Sequence, residues 1–488
     1  AAASESSAIA IGKSSQAVKN KSIAIGESAT ANDTAGIAIG AGNTATGWGA
    51  TAIGKNVQVT RERSIGLGWD VTVDQSGSTL VGYNSQVHAN QGTGLGSTIN
   101  ITSAAQYGTG IGYQVDVSGK NAVAIGSSGD TGTHTAASAT DAVSIGTATV
   151  ASGEAGTAIG KQAAASKANA IAFGTSAAAS ESSATAIGKD ATASKANTIA
   201  MGTSATASDT SATAIGNGAN ASKDNTIAMG TNAAASSSAA VAIGYGASAG
   251  DTGTVAIGYG ANAAGYTSVA IGNSATATSG TSVVIGDGAS STVSLGTALG
   301  KGAKVTHQDS VALGAASETG AATSTSTMTI AGKSYTLAGG TAGGTVSIGS
   351  ATKKRTLTNL AAGTVSATST DAVNGSQLHA VVQAAESTAT ALTSVSTAVT
   401  SVSTSLTSVS TAASSALVKA TSAETKAVAA AATANATSTA LTSVSTAANS
   451  ALVKATSAET KADAAAATAN ATSTALTSVS TAANSALV

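Results

Sequence analysis

The sequence contains no cysteine and no proline among its 488 residues. Without cysteine there is no disulfide framework and no thiolate metal site. Without proline nothing interrupts a long hydrogen-bonded ladder or a long helix. Large side chains are also scarce. Phe occurs once, Trp twice, and aromatics make up 2 % of the chain. A globular core draws ~1.5–3 kcal/mol from each large apolar side chain that it buries. The 42 % hydrophobic fraction here is mostly Ala, so apolar surface must be buried by repetition or by partner chains. Charged residues are 9 % and the net charge is −1, which gives no reason to expect nucleic acid or an anionic membrane as partner. The chain opens at Ala1 with neither an export-signal pattern nor an apolar run near membrane-spanning length. An export signal and a membrane anchor are therefore expected outside these residues.

What is present is a fourteen-residue ruler. The glycine of an "AIG" motif falls at Gly12, Gly26, Gly40, Gly54, Gly68, Gly82 and Gly96. After one step of 16 it reaches Gly112, then Gly126, and a step of 20 leads to Gly146. It then runs by 14 from Gly160 to Gly314, which completes 22 rungs. Three residues before each glycine stands Ile, Val or Thr, as in Ile9, Ile23, Thr51 and Val123. One residue before it stands a larger apolar group, as in Ile11, Leu67, Phe173 and Met201. Positions two apart share one face of a strand, so these pairs are expected to point into the roll. The Ala between them (Ala10, Ala24, Ala158, Ala186) is expected to point outward and to form a flat column where other copies pack. A second period-2 stretch follows, with Ala29 and Ala31, Val57 and Val59, or Ile99 and Ile101 facing inward. Asn, Asp, Lys, Ser and Thr fill the turns. Rungs in register stack like on like, which predicts a parallel β-roll at ~4.8 Å per rung, a rod of roughly 105 Å.

Two stretches depart from the ruler. Six extra residues surround Gly129–His134, and the rungs from Trp48 to Tyr113 hold both Trp and three of the seven Tyr. Exposed rings on a polar rod suit binding; local packing or capping of rung ends accounts for them equally well.

After Gly314 the comb stops. Residues 315–352 read as an insertion with β-like pieces and a last rung. A distinctive string follows, with Arg355, Asn359, Gly363, Asp371, Ala372, Val373, Asn374, Gln377 and Leu378 at its fixed points. Beyond it runs a heptad pattern. Leu392, Val399 and Leu406 are seven apart, as are Val395, Val402 and Val409, and the register continues through Ala413, Ala416, Ala420, Ala423, Ala427 and Ala430 to Leu441, Val444, Leu476 and Val479. Ala fills many core sites, and Thr388, Thr437 and Thr472 occupy others, so the heptads do not set the strand number. Lys419, Glu424, Lys426, Lys454, Glu459 and Lys461 read as solvated stalk charges.

Fourteen-residue "AIG" rungs, the string from Arg355 to Leu378 and a long heptad helix together resemble the trimeric autotransporter adhesins with YadA-like heads. The resemblance implies a left-handed parallel β-roll head over 1–314, the insertion and last rung at 315–352, a neck at 353–378 that clasps three chains, and a parallel trimeric α-helical coiled coil over 379–488. It implies a homotrimer exported across the outer membrane to the bacterial cell surface, attached to the membrane only through an anchor outside this chain. The implied function is adhesion to host cells or to extracellular matrix such as collagen or fibronectin, with self-association between fibres. Rungs such as Asn121–Ser128 are similar to head repeats that bind collagen in some relatives, which makes Asn121, Val123, Ile125, Gly126 and Ser128 the expected ligand contacts. One alternative is a structural spacer that presents another head upstream. A remote one is an ice-binding solenoid, disfavoured because Thr forms no regular paired columns. Neither a cofactor nor a metal is expected. His88, His134, His307 and His379 share no ligand spacing in the sequence, no phosphate loop or nucleophile elbow occurs, and carboxylates are sparse, so the chain does not read as an enzyme.

Overall fold

Each rung follows from its sequence by the same local steps. A β-branched residue opens a short strand, as in Ile23–Ile25, and the rung glycine then bends the chain. A second, return strand follows, as in Thr30–Ala31. A residue with positive φ closes each turn, for example Lys21 (φ 59) and Ser28 (φ 56). We describe the chain from a computed structural model, which covers 1–128, 132–420 and 427–485, and the side chains of these except 416–420, 427–431 and 462–485. It comprises two compact units. One is Ala1–Ala321 with Gly344–Lys354; the other is Ala322–Gly343 with Arg355–Val488.

The first unit is the β-roll. Neighbouring rungs pair in parallel, one fourteen-residue step apart: Ile23 with Ile37, Ala24 with Ala38, Ile25 with Ile39, and on the return side Thr30 with Thr44. The irregular steps do not disturb this register. Gly96 pairs with Gly112 and Gly126 with Gly146, so the additional residues do not shift the pairing. Of the expected feature at Gly129–His134, Gly129–Thr131 lies outside the described residues. The last rung is completed after an interruption, because Val346 pairs with Val311.

The facing of the first strand is the reverse of that expected. Ala24, Ala38, Ala158, Ala186 and Ala214 are fully buried, whereas Ile9, Ile11, Ile65, Leu95 and Phe173 are exposed. The return-strand residues do point inward, with Ala29 and Ala31 both fully buried. The reason is steric. The two strands of a rung lie back to back, and the space between them holds little more than methyl groups. An interior packed at this density tolerates few added methylenes.

The rungs between Thr51 and Val117 solve the same problem differently. Here the return strand carries Val57, Val59, Val71, Val73, Ile99 and Ile101, all essentially fully buried. The first strand gives up its side chain in compensation, at Gly66, Gly94 and Gly110. A Cβ on Gly66 would lie 2.8 Å from both Val57 Cγ1 and Val59 Cγ2. Strands grow to nine residues in this block, as in Ile65–Val73 and Thr79–Val87.

The rung glycines stack directly over one another with φ well into the positive range, such as 131 at Gly188. Four residues before the rung glycine, a buried hydroxyl often closes the turn. Ser22 donates to the Lys19 carbonyl at 2.5 Å, Thr198 to Lys195 at 2.5 Å and Thr254 to Asp251 at 2.6 Å.

The second unit holds an antiparallel hairpin, Thr327–Ile330 with Lys333–Thr336, and two helices, α1 (Gly375–Ala420) and α2 (Ala427–Ser485). Heptad residues face one another across them. Val402, Leu406 and Val409 meet Leu441 and Val444, and Val395 and Val399 meet Val444, Ala448 and Ala451. In the single chain the helices therefore run antiparallel, each covering the other's apolar stripe. The cover is incomplete, with Leu392 69 % and Leu441 50 % exposed. The helical stalk is present as expected; the parallel three-chain arrangement concerns assembled copies. The stalk sites at Ala423, Glu424 and Lys426, and the side chains of Ala416, Lys419, Ala420, Ala427, Ala430, Thr472, Leu476 and Val479, lie outside the described residues.

Candidate functional site

The roll has two outward faces of opposite character. On the first strands, the residues three and one before each glycine form two continuous apolar columns of Ile, Val, Leu, Met, Phe and Thr, and none of their large members is fully buried. On the return strands the outward column is polar or small: Gln16, Thr30, Thr44, Gln58, Thr72, Gln86, Asn100, Thr192, Asn220. A long exposed apolar stripe beside a polar one marks a surface that another protein surface covers.

The five expected ligand contacts fall mainly on the apolar face or in turns. Val123 and Ile125 point outward on either side of buried Ala124. Asn121 closes a turn at φ 57, and its Nδ2 donates to Asp141 Oδ1 at 2.9 Å. Gly126 leaves no room for a Cβ, which would lie 2.7 Å from the Gly146 carbonyl carbon. Ser128 donates its N–H to the Tyr113 carbonyl at 3.1 Å.

Stacking also joins side chains that are far apart in sequence. His88 Nδ1 lies 2.6 Å from Asp74 Oδ2, fourteen residues away, and its Nε2 lies 2.9 Å from Gln86 Oε1. Gln86 reaches Asn100 at 3.4 Å, Asn100 reaches Asp116 at 3.2 Å, and His134 Nδ1 lies 2.6 Å from Asp116 Oδ2. This polar chain crosses the return face of five rungs. It is invisible when histidines are sought by local spacing and visible when the sequence is read rung by rung, across steps of 14, 16 and 18 residues. His307 pairs with Thr306 Oγ1 at 2.9 Å. No group of three or more His, Asp or Glu among the described residues could hold a metal ion.

The string before α1 forms a compact network of its own. Asn374 is the helix N-cap: its Oδ1 accepts from Gln377 N at 3.2 Å, and Gln377 Oε1 accepts from Asn374 N at 3.1 Å. That reciprocal pair is a capping box. Gln377 does more than cap. Its Oε1 also accepts from Gly363 N at 3.0 Å, and its Nε2 donates to Gly363 O. Asn374 Nδ2 donates to Leu360 O at 3.1 Å, and Asp371 Oδ2 accepts from Thr364 N at 2.9 Å. A Cβ on Gly363 would press on the Ala372 carbonyl and lie 2.8 Å from Asp371 Cβ. Burial raises the Asp371 carboxyl above its usual range, and its Oδ1 lacks a partner among the described residues. Asn359 adopts φ 61. Val373 and Leu378 are exposed at 55 % and 60 %, and Ala372 is exposed.

Gln377→Ala removes both amide bonds to Gly363 and half of the capping box. Each lost bond that leaves a shielded backbone group unpaired costs ~1–3 kcal/mol. The expected result is fraying of the first turns of α1, read as faster amide exchange at residues 375–382, with exchange in the roll unchanged.

A parallel roll of repeated rungs, followed by a capped junction and heptad helices, defines a repetitive fibre protein. The chain belongs to the trimeric autotransporter adhesins with a YadA-type head. The YadA head domain repeat matches residues 3–43, 137–163, 165–191, 193–261, 263–289 and 295–317. The coiled stalk of trimeric autotransporter adhesin matches 356–401. Autotransporter adhesin BtaE of Brucella suis biovar 1 (strain 1330) is 51 % identical over 79 residues, covering 16 % of this chain and 11 % of that protein. A solved C-terminal YadA-like domain from Burkholderia pseudomallei is 40 % identical over 21 % of this chain and 50 % of its own, with a TM-score of 0.20. The chain thus spans a minor part of the curated relative and half of the solved domain. The head repeats leave 44–136 unmatched, which is the stretch that holds the nine-residue strands.

Proposed function

We propose that this chain is the head, neck and stalk segment of a homotrimeric adhesin that acts at the bacterial cell surface. Residues 1–314 with the completed rung after 344 form the head, 353–378 the neck, and 379–488 the stalk. The observation that carries the reading is the uncovered apolar face of the first strands, opposite a polar return face. Three copies arranged about one axis cover that face and leave the polar one in water. The unpartnered Asp371 Oδ1 and the half-covered heptad stripe fit the same assembly. Host matrix or cell surfaces then meet the polar return face and the turns. Weak contacts multiplied over three chains and many fibres hold the cell, and head–head contact between fibres supports autoagglutination.

This reading moves the expected contacts. Val123 and Ile125 belong to the covered face, so of the five expected contacts Asn121 and Ser128 are the side chains that remain at the surface. The test coats beads with the purified chain and presents collagen, fibronectin, laminin and host cells. Saturable capture by at least one is expected; binding to none contradicts the host-adhesin reading.

A further inference from the structure

The column immediately after the rung glycine separates two kinds of exposed residue. It is in phase with the apolar columns, yet in most rungs it is polar or charged. Lys13, Glu27, Lys161, Lys189, Asp287 and Lys301 all stand in it. Lys13 pairs with Glu27 at 3.2 Å, and Lys301 with Asp287 at 2.8 Å, with the lysines 82 % and 77 % exposed. Charges of this kind are depleted from covered interfaces. The column therefore faces water in the assembled fibre as well as in the single chain.

The same column turns aromatic in two places, at Tyr245 and Tyr259, which stack at 5.1 Å, and in the block of nine-residue strands. Trp69 and Tyr83 occupy it on successive rungs, then Ser97, then Tyr113. The three rings are 48 %, 50 % and 51 % exposed. Trp69 and Tyr83 meet edge to face at 5.6 Å, and Lys55 Nζ lies 4.7 Å over the Trp69 ring. A polar column runs beside the rings: Asn56, Asp70, Asn84, Thr98 and Gln114 hold the next position, each at positive φ. Asn56 Nδ2 donates to Asp70 Oδ1 at 2.9 Å. The strands beneath these rings are nine residues long, with a Val and Ile interior.

We propose that Trp69, Tyr83 and Tyr113 form a platform for a neutral polysaccharide. Sugar rings offer a flat C–H face to stack on an aromatic ring and hydroxyls at their rim for amides and carboxylates. Rings on three of four successive rungs, spaced ~4.8 Å per rung, beside an unbroken polar column offer stacking and rim contacts along a linear chain of such units. Lys55 and Asp70 are of opposite sign, so net charge does not select the ligand. The proposal deepens the adhesion reading by naming a ligand class for one surface of the head.

The test titrates the full chain with chitohexaose and cellohexaose, reads tryptophan emission, and screens the labelled chain on a printed array of neutral glycans. Saturable binding to at least one glycan is expected. Trp69→Ala and Tyr83→Ala should each weaken it about tenfold, as truncation of a central aromatic anchor does, while Trp48→Phe in another turn leaves it unchanged. Native mass is measured on every variant. The platform is overturned by an absence of glycan binding, by binding that survives the Trp69→Ala, Tyr83→Ala double variant, or by loss of the trimer in that variant, which would make the rings an interchain contact. Bead capture of matrix proteins is measured in parallel. Matrix capture without glycan binding removes the platform and leaves the adhesion reading; glycan binding without capture of matrix or cells does the reverse.

Discussion

Replacing Gly188 by Ala should cost the roll roughly 2–5 kcal/mol, from backbone strain and overpacking together. Gly188 has φ 131, a region that L residues rarely adopt. An added Cβ would lie 2.5 Å from Gly202 O and 2.6 Å from Gly202 C. Those atoms belong to the next rung's backbone, so no side-chain rotation relieves the clash. A solenoid's stability is close to a sum of rung and neighbour terms, so the loss should be local. Amide exchange should accelerate in the rungs on either side of Gly188 and stay unchanged near Gly26. Lys189→Ala, one residue on and exposed, should change stability by less than about 0.5 kcal/mol. Equal melting of Gly188→Ala and the parent chain would contradict the stacked-glycine account.

The second large effect concerns the apolar face. In the double variant Ile187→Asp with Ile215→Asp, three assembled chains would bring six carboxylates toward one axis. An ion buried without a partner costs several kcal/mol. The head should therefore splay and become open to protease while the stalk stays helical. Thr192→Asp with Thr206→Asp places the same charges on the return face, where protease resistance and melting should match the parent chain. Equal behaviour of the two double variants would contradict the assignment of faces.

Much of this architecture was legible in residue spacing. A period of fourteen is also the pairing step of the ladder, so the comb of glycines located the rungs and their register, across the irregular steps as well. Heptads located the helices. The facing of the first strand was not legible from alternation alone, because Ile-Ala-Ile reads the same from either side. The habit of placing large residues inside selects the wrong side when the interior is only methyl-deep. Two signals in the sequence do decide it. The Ala position is almost uniformly small, as a packed interior requires, whereas its neighbours range over Thr, Val, Ile, Met and Phe. Lys13 and Glu27 also stand in phase with Ile11 and Ile25, and a charged residue in phase with an apolar one marks that face as outward.

The junction was legible as a string and not as a mechanism. Nothing in the spacing of Gly363 and Gln377 indicates that one amide side chain clamps the other's backbone. That arrangement depends on the chain doubling back between them. The Asp74–His88 and Asp116–His134 pairs were hidden for a related reason, since the solenoid makes neighbours of residues about one rung apart.

The absence of cysteine permits a direct test of the assembly. A single cysteine at Ile215, on the apolar face, and another at Asn220, on the return face, are each treated with a short bis-maleimide linker. The account predicts covalent dimers from Ile215→Cys and only monomer of 45.5 kDa from Asn220→Cys. Cross-linking through Asn220→Cys alone, or through neither, would contradict it.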